Sequence, residues 1–259
     1  METKSVYVGV DIGSSRTKVA ILDKGKKLIG YSVVPSGTDF EQSASTCLNK
    51  ALVMANVTKD RIISAMSTGY GRKNVTYVKG HKTEISCHST GCYHYFSKEI
   101  TIIDIGGQDN KVIKLDPNGQ RVSFTMNRKC AAGTGAFLEE MSVRLNIPLE
   151  EMNDKAQRSE NPVLIGSYCT VFSGTEVLEH IRRGANVNDI VKGLFCSVIK
   201  RVREMDSFSD NVVMTGGVVA HNPYLVTMTE ELIGKKIWVT EHPQFTGAIG
   251  AAILAADEE

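Results

Sequence analysis

Two segments about ninety residues apart follow one plan, and this repetition limits the folds open to the chain more than any other feature. "VYVGVDIGSSRTKVAIL" (6–22) passes from an apolar, β-branched stretch through Asp11, Ile12 and Gly13 and a hydroxyl-rich turn into a second apolar stretch. "TIIDIGGQDNKVIKL" (101–115) does the same through Asp104, Ile105, Gly106 and Gly107. Short β-branched runs on either side of a glycine turn read as strands, so each segment predicts a β-hairpin with D-I-G at its tip. A single D-I-G need be no more than a turn. Its recurrence implies two halves of similar build.

Between the hairpins, Cys47, Leu48, Ala51, Leu52 and Ala55 recur at helical spacing within 40–57, and the short strand "IISAMSTG" follows. Beyond the second hairpin, 133–145, 175–184 and 187–205 carry apolar residues at three- and four-residue intervals and predict helices. "NVVMTGG" (211–217) reads as a buried strand entering a glycine turn, and "FTGAIGAAILAA" (245–256) as a small-residue helix able to pack closely on a neighbour. With 259 residues and 42% hydrophobic composition the chain can bury a sizeable core. The expected fold is α/β, with halves at 1–98 and 99–259 and a cleft between them.

Charge and composition narrow the partners. Lys plus Arg number 30 against 29 acids with no basic tract, which predicts neither nucleic acid nor an anionic membrane surface as a partner. No stretch approaches ~18 uninterrupted apolar residues, and "METKSVYVGVDIG" has neither the basic flank nor the apolar core of a signal peptide, so a cytoplasmic protein is expected. Six cysteines are too sparse for a disulfide scaffold, and in a reducing compartment they point to metal binding or redox chemistry.

The hairpin tips suit phosphate. Strand-D-I-G-S-S offers backbone N–H groups and two hydroxyls at a turn where Gly13 permits close approach. Asp11 and Asp104, each ending a strand, are candidates to hold Mg2+ through water, and Gln108 to orient an attacking water. No G-x-x-x-x-G-K-[ST] occurs, which disfavours a P-loop enzyme. Followed by "VVMTGGV" (212–218), the two hairpins resemble in order the two phosphate loops and the adenosine loop of the superfamily joining acetate and sugar kinases, heat-shock chaperones and actin. That resemblance implies two ribonuclease-H-like halves with ATP in the cleft.

"NRKCAAGTGAF" (127–137) sets Cys130 before a glycine-rich turn and a helix, and "GSYCTVFSGTEV" (166–177) does so for Cys169. Helix-start N–H groups favour a thiolate or an anionic cluster. Three readings compete. Cys47 and Cys196, on apolar helical faces, read as buried structural thiols. A nucleophilic Cys130 would need an activating base; no histidine lies within thirty residues of it, which leaves the distant His81, His88, His94, His180, His221 and His242. As cluster ligands, two cysteines are half of what a four-iron cluster takes, and a two-fold dimer would supply the rest. Alternatively, Cys87 and Cys92 in "SCHSTGCYH" complete a set within one chain or bind zinc with His88 and His94, although their spacing is looser than C-x-x-C. The plainer reading of that stretch is a cysteine-rich helix.

"DIGSSRTK", "STGYGR", "EISCH", "TIIDIGGQDNKVIKL", "NRKCAAGTGAFLE", "YCTVF", "VVMTGGV" and "FTGAIGAA" together resemble the activators of 2-hydroxyacyl-CoA dehydratases in the BadF/BadG/BcrA/BcrD ATPase family, which also includes benzoyl-CoA reductase subunits and reductases of double-cubane cluster proteins. The resemblance runs from about residue 5 to 256, and C-A-A-G-T-G with a downstream C-T-V-F is highly specific. It implies a homodimer with one 4Fe-4S cluster per dimer, ligated by Cys130 and Cys169 of each subunit. ATP hydrolysis to ADP with Mg2+ would shift the helices that start at the cluster and drive one low-potential electron into an iron-sulfur acceptor, a 2-hydroxyacyl-CoA dehydratase or a double-cubane cluster protein. Ferredoxin or flavodoxin would be the electron source. The same resemblance assigns Ser14, Ser15, Arg16, Thr17 and Lys18 to the first phosphate loop, and Asp104, Gly106, Gly107 and Gln108 to the second. Gly216 and Gly217 fall in the adenosine loop, and Gly133, Thr134 and Gly135 adjoin both cluster and nucleotide. The chain departs from the family where Ser173-Gly174-Thr175-Glu176-Val177 replaces A-E-S-E-V, and where "VVAHN" is one residue longer; both bear on the acceptor's identity. The rival classes are a small-molecule kinase using Asp104 or Asp109 as base, which leaves the cysteines without a task, and a nucleotide-binding module without turnover.

Overall fold

The computed structural model describes residues 5–127, 130–166 and 169–259, and the duplicated motif is a duplicated topology. The first part contains β1 (Val6–Ile12), β2 (Arg16–Asp23), β3 (Leu28–Pro35), α1 (Phe40–Ala55), β4 (Ile62–Gly69), β5 (Gly80–His81) and α2 (Glu84–Phe96). Then come β6 (Ile100–Ile105), β7 (Asn110–Leu115), β8 (Arg121–Asn127), α3 (Gly135–Leu145), α4 (Met152–Gln157), α5 (Thr170–Arg182) and α6 (Val187–Met205). The chain closes with β9 (Val212–Thr215), α7 (Gly217–His221), α8 (Pro223–Ile233), β10 (Ile237–Val239) and α9 (Thr246–Asp257).

The sheet orders are β3-β2-β1-β4-β5 and β10-β9-β6-β7-β8. Read from the opposite edge, the second repeats the first with β6 in the place of β1. In the first sheet β1, β2 and β3 pair antiparallel, while β4 runs parallel to β1 and β5 to β4. In the second, β9 is parallel to both β6 and β10.

Both central strands are covered on two faces, which is why β1 is buried at every position. Val6, Val8, Val10 and Ile12 meet Ala44, Cys47, Leu48, Ala51 and Leu52 of α1. The other face lies under α9: a Cβ on Gly9 would fall 1.8 Å from the Ala248 carbonyl oxygen, and one on Gly250 would fall 1.8 Å from the Cys87 carbonyl oxygen. Only small residues permit helices to sit this close to a strand and to one another. In the second part, Ile190, Val191, Leu194, Phe195, Val198, Ile199 and Val202 of α6 pack with Phe137, Leu138 and Met141 of α3 and with Ile103 and Ile105 of β6. Each such side chain contributes about 1.5–3 kcal/mol when fully buried.

The chain forms two compact units, Met1–Glu99 with Leu115–Arg121 and Gln244–Glu259, and Ile100–Lys114 with Val122–Pro243. Residues 244–259, grouped with 99–259 on sequence grounds, therefore pack with the first sheet. The physical reason is the small-residue face of α9, which matches Gly9 on β1 and Gly91 on α2. Among the described residues no helix is long and apolar enough to cross a membrane.

Candidate functional site

At the first hairpin, period-two alternation sorts the loop residues. Lys18 stands opposite Asp11 in the β1–β2 register, and its Nζ donates to Asp11 Oδ2 at 3.0 Å. Asp11 is buried and Lys18 half-buried. Thr17 projects to the other face, where its hydroxyl meets those of Ser36 at 3.0 Å and Ser43 at 3.3 Å. The Thr17 side chain is thus interior, while Ser14 and Arg16 are exposed at the tip and Ser15 is half-buried.

The second hairpin carries a stronger version of this ion pair. Lys111, with a side chain only 3% exposed, donates to Asp104 Oδ2 at 3.0 Å and Asp109 Oδ1 at 2.8 Å. Gly107 and Gln108 are exposed at the tip. Sequence reasoning missed Lys111. The signal was present, because Asp11 to Lys18 and Asp104 to Lys111 have the same spacing. Each lysine offsets a carboxylate that would otherwise be buried with its charge uncompensated.

The second tip is stitched to the cysteine turn. Gly135 N–H donates to the Gly106 carbonyl at 2.9 Å, and Ala136 N–H to the Gly107 carbonyl at 2.7 Å. A Cβ on Gly135 would lie 3.2 Å from Gly107 Cα and 3.4 Å from Val218 Cγ2, so the start of α7 adjoins the same place. Gly216, just before α7, has φ +103°, and a Cβ there would approach the Ile105 carbonyl oxygen to 2.3 Å, so only glycine fits. The structure therefore gathers Gly106, Gly107, Gly135, Gly216 and Gly217.

This stitching changes the expected role of the α3 start. Its first N–H groups go to hairpin carbonyls, and Cys130 stands upstream across a turn in which Thr134 N–H and hydroxyl both donate to the Ala131 carbonyl, at 3.0 and 2.5 Å. Gly133 has φ +82° over the aliphatic stem of Arg201, and a Cβ there would sit 2.6 Å from Arg201 Cδ. Cys169, in contrast, is itself the N-cap of α5 and makes no side-chain capping bond. That helix begins at Thr170, five residues before the expected 175, because Ser173 and Gly174 pack in the interior, where Gly174 lies against Arg144. Packing overrides the weak helix propensity of this stretch. Arg128 and Lys129 of the first cysteine motif, and Ser167 and Tyr168 of the second, lie outside the described residues.

The six cysteines form no disulfide with one another; Cys130 and Cys169 are half-buried, whereas Cys47, Cys87 and Cys92 are buried. Cys196, expected on an apolar face, is exposed because it falls outside the buried stripe of α6. Cys87 and Cys92 both lie on α2, five residues and hence ~140° apart around the helix, so their side chains diverge. The His88 ring meets Thr246 at the start of α9, Nδ1 to Oγ1 3.1 Å. Among the described residues no group of three or more His, Cys, Asp or Glu converges on a metal site. The stretch forms the cysteine-rich helix of the plainer reading.

Burial pushes the Cys87 thiol up to about 12 and the Cys47 thiol to about 11. At pH 8 the thiolate of Cys87 is then about one part in ten thousand. Iodoacetamide is expected to spare Cys47 and Cys87 in the native protein and to label them in denaturant. Peptide mass analysis reads this, and native labelling of Cys87 as fast as Cys196 would contradict it.

The donor chemistry fits two implied groups. Cys130 and Cys169, both half-buried, are soft sulfur donors of the kind that iron takes. Asp11 and Asp104 are hard oxygen donors at strand ends, the donor type that a magnesium ion held through water takes.

Comparison with known proteins follows the same lines. The profile of the BadF/BadG/BcrA/BcrD ATPase family matches residues 8–255. The 2-hydroxyisocaproyl-CoA dehydratase activator of Clostridioides difficile is 40% identical over 97% of this chain and 95% of its own. The solved structure of (R)-2-hydroxyglutaryl-CoA dehydratase component A from Acidaminococcus fermentans superposes with a TM-score of 0.93 at 35% identity, covering 98% of each chain. The structure of the Clostridium difficile 2-hydroxyisocaproyl-CoA dehydratase activator with bound ADPNP gives 0.90 at 39%, over 98% of this chain and 95% of that one. With its two five-stranded sheets, the chain has the α/β fold of the acetate and sugar kinase, chaperone and actin superfamily.

Proposed function

Since the chain belongs to the BadF/BadG/BcrA/BcrD ATPase family, we propose that it is an ATP-dependent one-electron activator of a partner iron-sulfur enzyme, either a 2-hydroxyacyl-CoA dehydratase or a double-cubane cluster protein. It acts as a homodimer in which Cys130 and Cys169 of each copy hold one shared 4Fe-4S cluster. The observation that carries this reading is the end-to-end match to dehydratase activators in a chain that keeps two half-buried cysteines, one of them five residues before a helix start that is tied to a hairpin tip. When bound, the cluster supplies a single low-potential electron; a ferredoxin- or flavodoxin-type protein replenishes it.

The chain's own residues do the rest. Ser14, Ser15, Arg16 and Lys18, with Gly106 and Gly107, bind phosphate; Thr17 supports the first loop from within; Gly216 and Gly217 border the adenosine. Asp11 and Asp104 hold magnesium through water, and the exposed Gln108 orients the attacking water. Because Gly135 and Ala136 hang from the Gly106 and Gly107 carbonyls, a shift of the tip carries Gly133, Thr134 and the start of α3 with it. Nucleotide drives such a shift only if it binds the two arrangements with different affinity.

The test is an iron count and native mass on anaerobically purified protein. About four irons per two chains are expected, with ATP hydrolysis that needs no partner and electron delivery that does. An iron-free monomer that transfers phosphate to sugars or carboxylates would overturn the reading in favour of a kinase.

A further inference from the structure

Asn110 opens β7, directly before Lys111, and is 1% exposed in a strand whose following residues Val112 and Ile113 are fully buried. Its Nδ2 donates to the Gly133 carbonyl at 2.9 Å. A carbonyl only accepts, so this bond fixes the orientation of the amide. Oδ1 consequently faces away, and among the described residues it meets no hydrogen-bond donor. At the other end of the same turn, Asn127 Nδ2 donates to the Cys130 carbonyl at 3.2 Å. The turn carrying Cys130 is thus held at both ends by asparagine amides, one of which belongs to the nucleotide hairpin.

A buried amide with one end bonded and the other unmet is uncommon, because buried polar groups are normally satisfied. An apolar residue would fill this strand position without that cost. We propose that Asn110 is a positioning residue that locks the Cys130 turn to the second hairpin, so that the nucleotide state of the hairpin is felt at Cys130. The proposal rests on the reading of the chain as a cluster-holding ATPase. Two backbone bonds, from Gly135 and Ala136, keep α3 on the hairpin whatever stands at 110. The Asn110 bond fastens the turn itself. Its unmet Oδ1 gives the amide a second bond to gain when the hairpin shifts. Shortening the side chain therefore separates what nucleotide does at the tip from what the cysteine turn experiences.

The experiment compares full-length wild type, Asn110→Ala and Asn110→Ser, purified anaerobically; neither shortened side chain reaches Gly133. Three rates are read with and without ADPNP or ATP: hydrolysis, iron extraction by a chelator, and alkylation of Cys130 by peptide mass. In wild type, nucleotide is expected to change extraction and alkylation by a factor within the roughly 5- to 150-fold range of coupled sites. In both variants that factor is expected to fall to about twofold or less, with hydrolysis within about twofold of wild type. Variants that keep the full nucleotide effect overturn the proposal, as does hydrolysis falling in step with it, which would place Asn110 in the nucleotide site. Loss of native circular dichroism in both variants also overturns it, by making Asn110 a folding residue. Iron-free wild type sinks the cluster reading alone, because Cys130 alkylation still decides whether nucleotide is felt at the turn.

Discussion

Lys111→Met is expected to destabilise the protein by about 3–5 kcal/mol, the cost of removing one partner from a buried ion pair. The lysine side chain is 3% exposed, and its ammonium lies 3.0 Å from Asp104, also 3% exposed, and 2.8 Å from Asp109, which is 25% exposed. Methionine matches the stem but takes away the ammonium that the two carboxylates share. Against a typical total of about 5–15 kcal/mol, such a loss would move the urea midpoint far down at constant slope. Lys18→Met is the internal comparison. It breaks a single pair with side chains 16% and 8% exposed, so a smaller loss of about 1–3 kcal/mol is expected. Adding Asp109→Asn to Lys111→Met removes one of the two charges left without it, and the double variant should regain about 1 kcal/mol or more. A Lys111→Met protein within about 1 kcal/mol of wild type would show that the triad is not an electrostatic unit.

That triad also marks where the sequence stopped being legible. The hairpins themselves, the strand at 62–69 and the helix at 187–205 were readable because each is a strongly patterned run, marked off by glycine turns for the hairpins and carried by a long apolar stripe for α6. Side-chain partnerships across a hairpin depend on turn length and register, which periodicity does not report. Asn110 and Lys111 were therefore passed over, although the repeated Asp-to-Lys spacing was in view. The same limit applies to Thr17, where a motif match could not say which face the hydroxyl occupies. The helix at 246–257 was legible as close-packing but not as to which sheet it packs on, since that is decided by Gly9, some 240 residues earlier. The α5 start was missed because its first turn contains Ser173 and Gly174, whose helical state comes from packing rather than propensity.

Cys130→Ser is expected to reduce bound iron from about four per dimer to near zero and to abolish electron delivery. Serine is close in size, but its oxygen is a harder donor than thiolate and is not ionised at neutral pH. Because Cys130 is half-buried, the change in folding stability should stay within about 0.5 kcal/mol, so loss of iron would not reflect unfolding. ATP hydrolysis persists, since Lys18, Gln108 and the glycine turns are untouched. Cys169→Ser should behave alike, and Cys196→Ser, on the exposed face of α6, should keep its iron. Mixing the chains separates a shared cluster from one built within each copy. If wild type and Cys130→Ser combine at random in equal amounts, about a quarter of the two-fold dimers carry four intact ligands, so iron falls to about a quarter of the wild-type value. A cluster completed inside each chain would give about half, because every wild-type copy would hold its own whatever its neighbour. The quarter is expected. A value of one half, or full iron in Cys130→Ser itself, would remove the shared coordination sphere and the dimer that depends on it.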